Sequence, residues 1–195
     1  MKLYYLCPLV LSLALIFVTP LLSFGAALEI SEIAWAGTTI NWADEWIEVR
    51  NIGPDSVTLL GWNIKWGKTS INLGEAKEDT LEANTEQLPA GEFLILERTD
   101  DDALSGIDAD IIFSGSLKNT GEKIILENPK GQIVQKVNFK KGWTAGTSGS
   151  GEPPYCSAAK LGDKWITCTN KLHLSETKKP VYGTPAAANN LCQNK

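Results

Sequence analysis

The sequence predicts an all-β protein, a sandwich or barrel of short antiparallel strands, on the basis of two observations. Short stretches that alternate apolar and polar residues recur with turn residues between them, and no stretch keeps an apolar period of 3.6 residues. The 195 residues suit one domain, and residues 28–195 are enough to bury an ordinary hydrophobic core.

The periods of the apolar residues place the strands. Trp62, Ile64 and Trp66 alternate with polar residues, which is typical of a strand with one buried face, and the stretch 46–50 follows the same pattern. The stretch 93–96 is apolar at every position. It is therefore predicted to be a central strand covered on both faces.

Turn residues connect these strands. Asn128-Pro129-Lys130-Gly131 has proline and glycine where a type I turn prefers them, so residues 122–139 are predicted to form a hairpin. Leu88-Pro89-Ala90-Gly91 repeats this chemistry before a strand at 92–98.

Three segments depart from the strand pattern. Residues 74–87 are acidic and polar and are interpreted as an exposed loop, and residues 99–110 form a second acidic connection. Residues 140–185 have low strand propensity. We expect this last segment to wrap the edge of the sandwich, held by a cysteine pair and by Trp143 and Trp165.

Residues 1–27 have the order of a signal peptide. Lys2 precedes the apolar stretch Leu3–Leu22, and Gly25 and Ala27 occupy the small-residue positions of a cleavage site near Ala27. The alternative is an uncleaved anchor, because about 20 apolar residues also span a hydrocarbon core. Either interpretation predicts a secreted or cell-surface domain at 28–195.

Export favours disulfide formation among the cysteines of the domain. Cys156 and Cys168 flank a short segment and are predicted to pair, which would stabilise the fold by roughly 3 kcal/mol. Cys192 is left over and can pair with either of them, and three free thiols remain the alternative.

Charge and histidine content exclude several functions. The formal net charge of −5 argues against unspecific binding to nucleic acid or anionic lipid. His173 is the single histidine and has no accompanying nucleophile or metal motif, so it is interpreted as a surface residue. Asp44, Glu45 and Glu48 are interpreted as strand-edge charges rather than a glycosidase pair, because Glu45 and Glu48 fall on opposite faces of one strand. No cofactor is expected.

The acidic connection is a weak candidate for calcium binding. Its aspartates could supply several hard oxygen ligands, but the order of an EF-hand loop is missing. A solvated acidic turn is the favoured interpretation. The candidate ligands are Asp100, Asp101, Asp102, Asp108 and Asp110.

The seven tryptophans divide into core residues and one candidate contact residue. Trp42 lies in the connection 37–44 beside Thr39 and Asn41. An exposed indole there would contact a partner protein or a sugar ring, whereas the alternative is a loop side chain folded onto the core. The four tryptophans assigned to the core are Trp35, Trp46, Trp62 and Trp66.

Six separated motifs follow one another over residues 29–189. The motifs are Ile30-Ser31-Glu32-Ile33-Ala34-Trp35-Ala36-Gly37, Asp44-Glu45-Trp46-Ile47-Glu48-Val49-Arg50-Asn51, Leu59-Leu60-Gly61-Trp62, Glu97-Arg98-Thr99-Asp100-Asp101, Gly115-Ser116-Leu117-Lys118-Asn119-Thr120-Gly121-Glu122 and Gly183-Thr184-Pro185-Ala186-Ala187-Ala188-Asn189. In this order they resemble the lamin-tail domain family. The sequence departs from the family at Ala186, where a glycine is usual, in the length of 74–87 and in the cysteine-bearing 152–170 segment.

The resemblance implies an immunoglobulin-like β-sandwich with a loop-rich C-terminal wrap. It also implies a non-catalytic exported module that binds a protein or a cell-surface polymer through loops at one end of the sandwich. A membrane-tethered envelope protein that associates through strand edges is the alternative. A metal-dependent hydrolase or nuclease that uses the acidic connection is a remote third.

Overall fold

The computed structural model describes Met1 and residues 27–74, 87–104, 106–173 and 179–193. The predicted signal segment, apart from Met1 and Ala27, and residues 75–86 of the expected acidic loop lie outside this description. The strands are β1 (Leu28–Ala34), β2 (Trp46–Asn51), β3 (Val57–Thr58), β4 (Asn63–Trp66), β5 (Thr69–Asn72), β6 (Gln87–Leu88), β7 (Phe93–Arg98), β8 (Ile111–Phe113), β9 (Lys123–Glu127), β10 (Ile133–Asn138), β11 (Ser157–Leu161), β12 (Lys164–Cys168), β13 (Lys171–His173) and β14 (Pro180–Tyr182). A 3₁₀ helix spans Asn189–Gln193.

The strands form two main sheets, so the prediction of an all-β protein is confirmed. The six-stranded sheet has the order β12-β11-β1-β2-β7-β8, and the four-stranded sheet has the order β10-β9-β4-β5. Neighbouring strands run antiparallel except β7 and β8, which are parallel. The pairs β13-β14 and β3-β6 form two small additional sheets.

Side chains from the two main sheets meet in one apolar core, which makes the fold a β-sandwich. Ile30 and Ile47 of the six-stranded sheet and Ile64 and Leu126 of the four-stranded sheet are completely buried in the same cluster. The four tryptophans assigned to the core from the sequence are all buried, as predicted.

The six-stranded sheet is covered on both faces. Leu94 and Leu96 of β7 face the sandwich core, whereas Ile95 packs with Trp46 and Val181 in a second cluster on the outer face. This arrangement confirms the prediction for the uniformly apolar stretch 93–96. The hairpin predicted at 122–139 is also present, as β9 and β10.

The segment 140–185 is only partly the irregular wrap that was expected. It contributes β11 and β12 to the six-stranded sheet, where β11 pairs with β1. Ala158 and Ala159 lie in β11 and are fully buried, so tertiary contacts override their low strand propensity. Trp143 and Trp165 pack against the core as expected: Trp143 stacks on Trp35 and Trp165 meets Phe139 edge-on.

The predicted Cys156–Cys168 disulfide is wrong. Cys168 is bonded to Cys192, and Cys156 is a buried free thiol. Cys168 lies opposite Ser157 in the β11–β12 pairing, and successive residues of a strand point to opposite faces. The side chains of Cys156 and Cys168 therefore face opposite sides of the sheet, and only Cys168 can reach the C-terminal segment.

Peptide mapping of the non-reduced protein is expected to recover a Cys168–Cys192 linkage, with Cys156 alkylated only after unfolding. Replacing Cys192→Ser should lower the free energy of unfolding by about 3 kcal/mol, because the bond spans a sequence separation of 24 residues. Cys156→Ser serves as the control and should leave the linkage intact. A Cys156–Cys168 peptide would contradict the structure.

Candidate functional site

Two glutamates lie side by side on the outer face of the six-stranded sheet. Glu32 of β1 and Glu48 of β2 are register partners and are both 0% exposed. A register shift in β1 between Ile30 and Glu32 turns both Ser31 and Glu32 to this face, because Ile30 and Ile33 still point into the core. The Ser31 hydroxyl donates to Glu48 Oε1 at 2.5 Å.

The end of the described chain covers these carboxyl groups. We call residues 183–193 the C-terminal strap. The Thr184 amide donates to Glu32 Oε1 at 2.9 Å, and the Ala186 amide donates to Glu48 Oε2 at 2.8 Å. The hydroxyl of Ser157 on β11 also donates to Glu32. The carboxyl groups thus accept hydrogen bonds from main-chain amides of the strap that a neighbouring strand would otherwise accept.

Asn189 and the disulfide hold the far end of the strap. The Asn189 side-chain amide donates from Nδ2 to the carbonyls of Ser31 at 2.7 Å and Lys160 at 3.0 Å. These two acceptors fix the orientation of the amide, which directs Oδ1 toward Thr184 Oγ1 at 2.7 Å. Cys192 ties the 3₁₀ helix to β12 through Cys168.

The Thr184 hydroxyl lies between two acceptors. Thr184 Oγ1 is 2.7 Å from both Asn189 Oδ1 and Glu32 Oε2, but the hydroxyl has a single hydrogen to donate. It can donate to either oxygen. When Glu32 is protonated, its own hydroxyl can donate to Thr184 Oγ1, and the Thr184 hydroxyl can then donate to Asn189 Oδ1.

Burial raises the pKa of both glutamates. Loss of solvent raises the pKa of Glu32 from 4.5 to about 7, against the opposing effect of its hydrogen bonds from Ser157 and Thr184. Loss of solvent raises the pKa of Glu48 to about 8, and the neighbouring Glu32 raises it further. Burial therefore favours the protonated form of both carboxyl groups in the folded protein.

Two more buried glutamates accept hydrogen bonds from loop amides in the same way. Glu45 accepts the Leu117 amide at 2.7 Å and pairs with Arg98 at 3.3 Å. Glu97 accepts the Ala103 amide at 2.9 Å. Desolvation is the main cause that raises the pKa of each carboxyl to about 7.

The interpretation of Asp44, Glu45 and Glu48 as strand-edge charges is therefore wrong, since all three are buried. Their contacts lie in different places, because Glu45 meets Leu117 and Glu48 meets Ala186. As the sequence indicated, they do not form a pair around one substrate bond.

Trp42 lies at the tip of an ordered loop. We call residues 37–45 the Trp42 loop; the Trp42 side chain is 69% exposed, with the Arg98 guanidinium 5.9 Å from its ring centre. Thr39 Oγ1 donates to the Pro180 carbonyl at 2.6 Å, and the Asn41 carbonyl accepts the amide of Thr38 at 3.0 Å. Of the two alternatives from the sequence, the exposed indole is the one observed.

A hydrogen bond between two residues of the Trp42 loop closes the loop. The Thr38 hydroxyl donates to Asp44 Oδ2 at 3.0 Å, and both residues are buried. Gly37 has a φ of +88°, and a Cβ there would lie 2.4 Å from the Trp42 carbonyl oxygen. Only glycine fits this position, so the chain reversal that presents Trp42 depends on it.

The aspartates of the acidic connection do not converge on one point. Asp101 Oδ1 accepts the Ala109 amide at 2.6 Å, whereas Asp110 Oδ2 accepts the Ile95 amide at 2.7 Å. Within the described ranges, the three possible metal ligands that approach closely are Glu32, Cys168 and Cys192, and the two cysteines are bonded to each other. Calcium binding by the acidic connection stays a prediction.

His173 lies in β13, but its side chain is outside the described residues. The described part of the chain contains no helix with the length and apolarity needed to cross a membrane. No family model matches the sequence, and no curated protein is significantly similar to it.

Sequence reasoning missed the joint role of Glu32, Thr184 and Asn189. The available signal was Ser31-Glu32, two consecutive polar residues between the apolar residues Ile30 and Ile33. Such a break in the period of two indicates a bulge. The partner residues in the strap could not be identified from this signal.

The protein is expected to be more stable at pH 5 than at pH 8.5. Between the unfolded pKa of 4.5 and the folded values of about 7 for Glu32 and about 8 for Glu48, only the folded state keeps these protons. The free energy of unfolding therefore falls as the pH rises through this window, on the order of 3 kcal/mol for Glu32 alone. Urea titrations at several pH values measure this slope.

The Glu32→Gln variant is expected to fold and to reduce the dependence of the free energy of unfolding on pH. Its amide oxygen accepts from Ser157 and Thr184, and its NH₂ group can donate to Thr184 Oγ1 as the neutral acid could. Glu32→Ala should lose about 3 kcal/mol or more, because it leaves buried donors unpaired. The exposed Glu92→Gln is the charge control; an equally flat slope there would contradict the assignment.

Proposed function

We propose that this chain is a non-catalytic binding module of the lamin-tail type, which acts outside the cytoplasm. In this proposal the Trp42 loop contacts a partner protein or a cell-surface polymer. The observation that carries the proposal is Trp42 itself, an indole that is 69% exposed on a loop closed by buried hydrogen bonds.

The physical argument rests on preorganisation. A tryptophan supplies a large apolar area and one N–H donor, and such side chains dominate binding energies at interfaces. The contacts of Thr38 with Asp44 and of Thr39 with Pro180 hold the loop before any partner arrives. Binding then costs less conformational entropy than binding through an unstructured loop.

The buried glutamates support a non-catalytic role. Glu32, Glu45, Glu48 and Glu97 each accept a main-chain amide from another segment of the chain. Their raised pKa values are therefore accounted for by burial in a structural network. Perturbed carboxyl groups of this kind occur in structural networks as well as in active sites.

The positions of the quoted motifs support the lamin-tail assignment. Glu32 belongs to the first motif, Glu48 to the second, and Thr184 and Asn189 to the last. These residues meet in one hydrogen-bonded network although the sequence separates them widely. A shared network gives a physical reason for the motifs to occur together.

Trp42→Ala should remove partner binding while leaving the fold intact. Truncating an interface tryptophan typically costs about 2 kcal/mol or more, which corresponds to a roughly 30-fold loss of affinity. The test immobilises the wild-type protein and the variant and compares the proteins and polysaccharides captured from an envelope extract. Components retained by the wild type alone are then titrated individually.

Leu60→Ala is the matched control, because Leu60 is 63% exposed and lies outside the Trp42 loop. It should capture the same components as the wild type. Identical capture by all three proteins would refute the role of Trp42. Fluorescence gives a second measurement: among the described tryptophans Trp42 alone is exposed, so a bound partner should protect it from an aqueous quencher.

A membrane-tethered envelope protein is the second candidate, favoured by the open strand edges. β5 and β8 end their respective sheets and border a common cavity of about 700 Å³. Unpaired edges can add strands from other chains. Mass determination of the N-terminus separates the two candidates, since a tethered protein retains residues 3–22.

A further inference from the structure

We propose that a second pocket, beneath the C-terminal strap, binds a small organic monocarboxylate through Arg50. The pocket has a volume of about 290 Å³ and lies between the outer face of the six-stranded sheet and the strap. Its lining includes Arg50, Phe93, Lys160, Leu161, Ser31 and Asn190. It is separate from the Trp42 loop, because its β1 residue Glu29 lies at the opposite end of that strand from Ala34.

Arg50 is a cation whose donors are not fully used. Its Nε is buried and has no hydrogen-bond partner. Among the described residues no carboxylate forms an ion pair with Arg50, whereas Arg98 is paired with Glu45. A buried N–H that has left water without finding an acceptor is costly. A bound anion in contact with the rest of the guanidinium would offset the cost of burying its charge.

The neighbouring groups are already committed to other partners. Lys160 donates to Glu29 at 2.7 Å and to the Gly162 carbonyl at 2.8 Å. Glu48 uses its two oxygens to accept from Ser31 and from the Ala186 amide of the strap. Arg50 is therefore the cation in this pocket that is not engaged in an ion pair with a described residue.

Charge and shape point to a monocarboxylate. The charges of Lys160 and Glu29 offset each other, and Arg50 adds one positive charge, which the nearby Glu48 offsets only when it is ionised, above its pKa of about 8. The planar guanidinium fork matches the two oxygens of a carboxylate, and this match adds geometric specificity to the attraction.

The walls set the size of the ligand. The Phe93 ring lies 5.2 Å from the Arg50 guanidinium carbon and, with Leu161, offers an apolar surface beside the charge. The volume is at the lower limit for pockets that take organic ligands. A carboxylate with a short aliphatic chain satisfies these conditions, and butyrate is a suitable probe.

The arginine side chains provide a direct measurement. Arg50 and Arg98 are the only arginines in the sequence, so the protein has two arginine Nε–H groups to follow by nitrogen-15 NMR. Titration with sodium butyrate at constant ionic strength should shift the Arg50 signal saturably and leave the Arg98 signal unchanged. n-Butanol, which has the same chain without the carboxylate, should not shift either signal.

Variants test the same contact by calorimetry. Arg50→Gln should weaken butyrate binding by about tenfold or more, as expected for the loss of a charge-assisted hydrogen bond. Lys164→Gln removes one positive charge from an exposed position and should bind like the wild type. Circular dichroism checks the folding of each variant. Arg50→Lys keeps the charge but loses the fork and should also bind more weakly, so it replaces Arg50→Gln if that variant does not fold.

Several outcomes would overturn the proposal. These are a shift that never saturates, an equal response of Arg98, or unchanged affinity in the Arg50 variant. Inorganic phosphate that binds more tightly than butyrate would overturn the assignment of a monocarboxylate. None of these outcomes bears on the role of Trp42, because Trp42→Ala should bind butyrate normally.

Discussion

The outer layer of this sandwich depends on one buried carboxyl group, that of Glu32. An ionised carboxylate at this depth would be strongly disfavoured, and a buried acid avoids the penalty by keeping its proton. The hydrogen bonds from Ser157 and Thr184 favour the ionised form, and the effect of burial outweighs them. The bulge in β1 directs Glu32 to the outer face, and Ser157, Thr184 and Asn189 complete its surroundings.

The same principle organises the other connections of the sandwich. Glu48 binds the strap, Glu97 binds the turn after β7, and Glu45 binds the segment that follows β8. Each carboxyl group accepts an amide that would otherwise lack a partner away from water. Arg98 links this framework to the proposed contact loop, since it pairs with Glu45 and lies close to the Trp42 ring.

The sequence was sufficient to predict the strands in which apolar and polar side chains alternate or in which all side chains are apolar. The period of Trp62, Ile64 and Trp66 and the apolar run 93–96 each reflect the burial of a local strand, so both predictions are confirmed. β11 was not predicted from the sequence because alanine and serine have little preference for strands. Its position depends on pairing with β1. Because β11 was not predicted, the predicted pairing of the cysteines was also wrong. The pairing with β11 determines which face of the sheet the Cys168 side chain occupies.

The carboxyl network could not be predicted for a related reason. The contact between Glu32 and Thr184 joins residues that are 152 positions apart, and no local pattern encodes such a meeting. The exposure of Trp42 was an open alternative in the sequence. It is decided by the closure of the loop through Thr38 and Asp44, two residues with no apolar period to reveal them.

The central position of β1 has a consequence for the order in which the molecule is assembled. β1 is the first strand of the described residues, yet it lies between β2 and β11 and receives its polar cover from the strap. A ribosome delivers the N-terminal end first, so Glu32 emerges long before the threonine that caps it. The native state can therefore form only after synthesis of the strap, and a chain interrupted before Thr184 would lack the final layer.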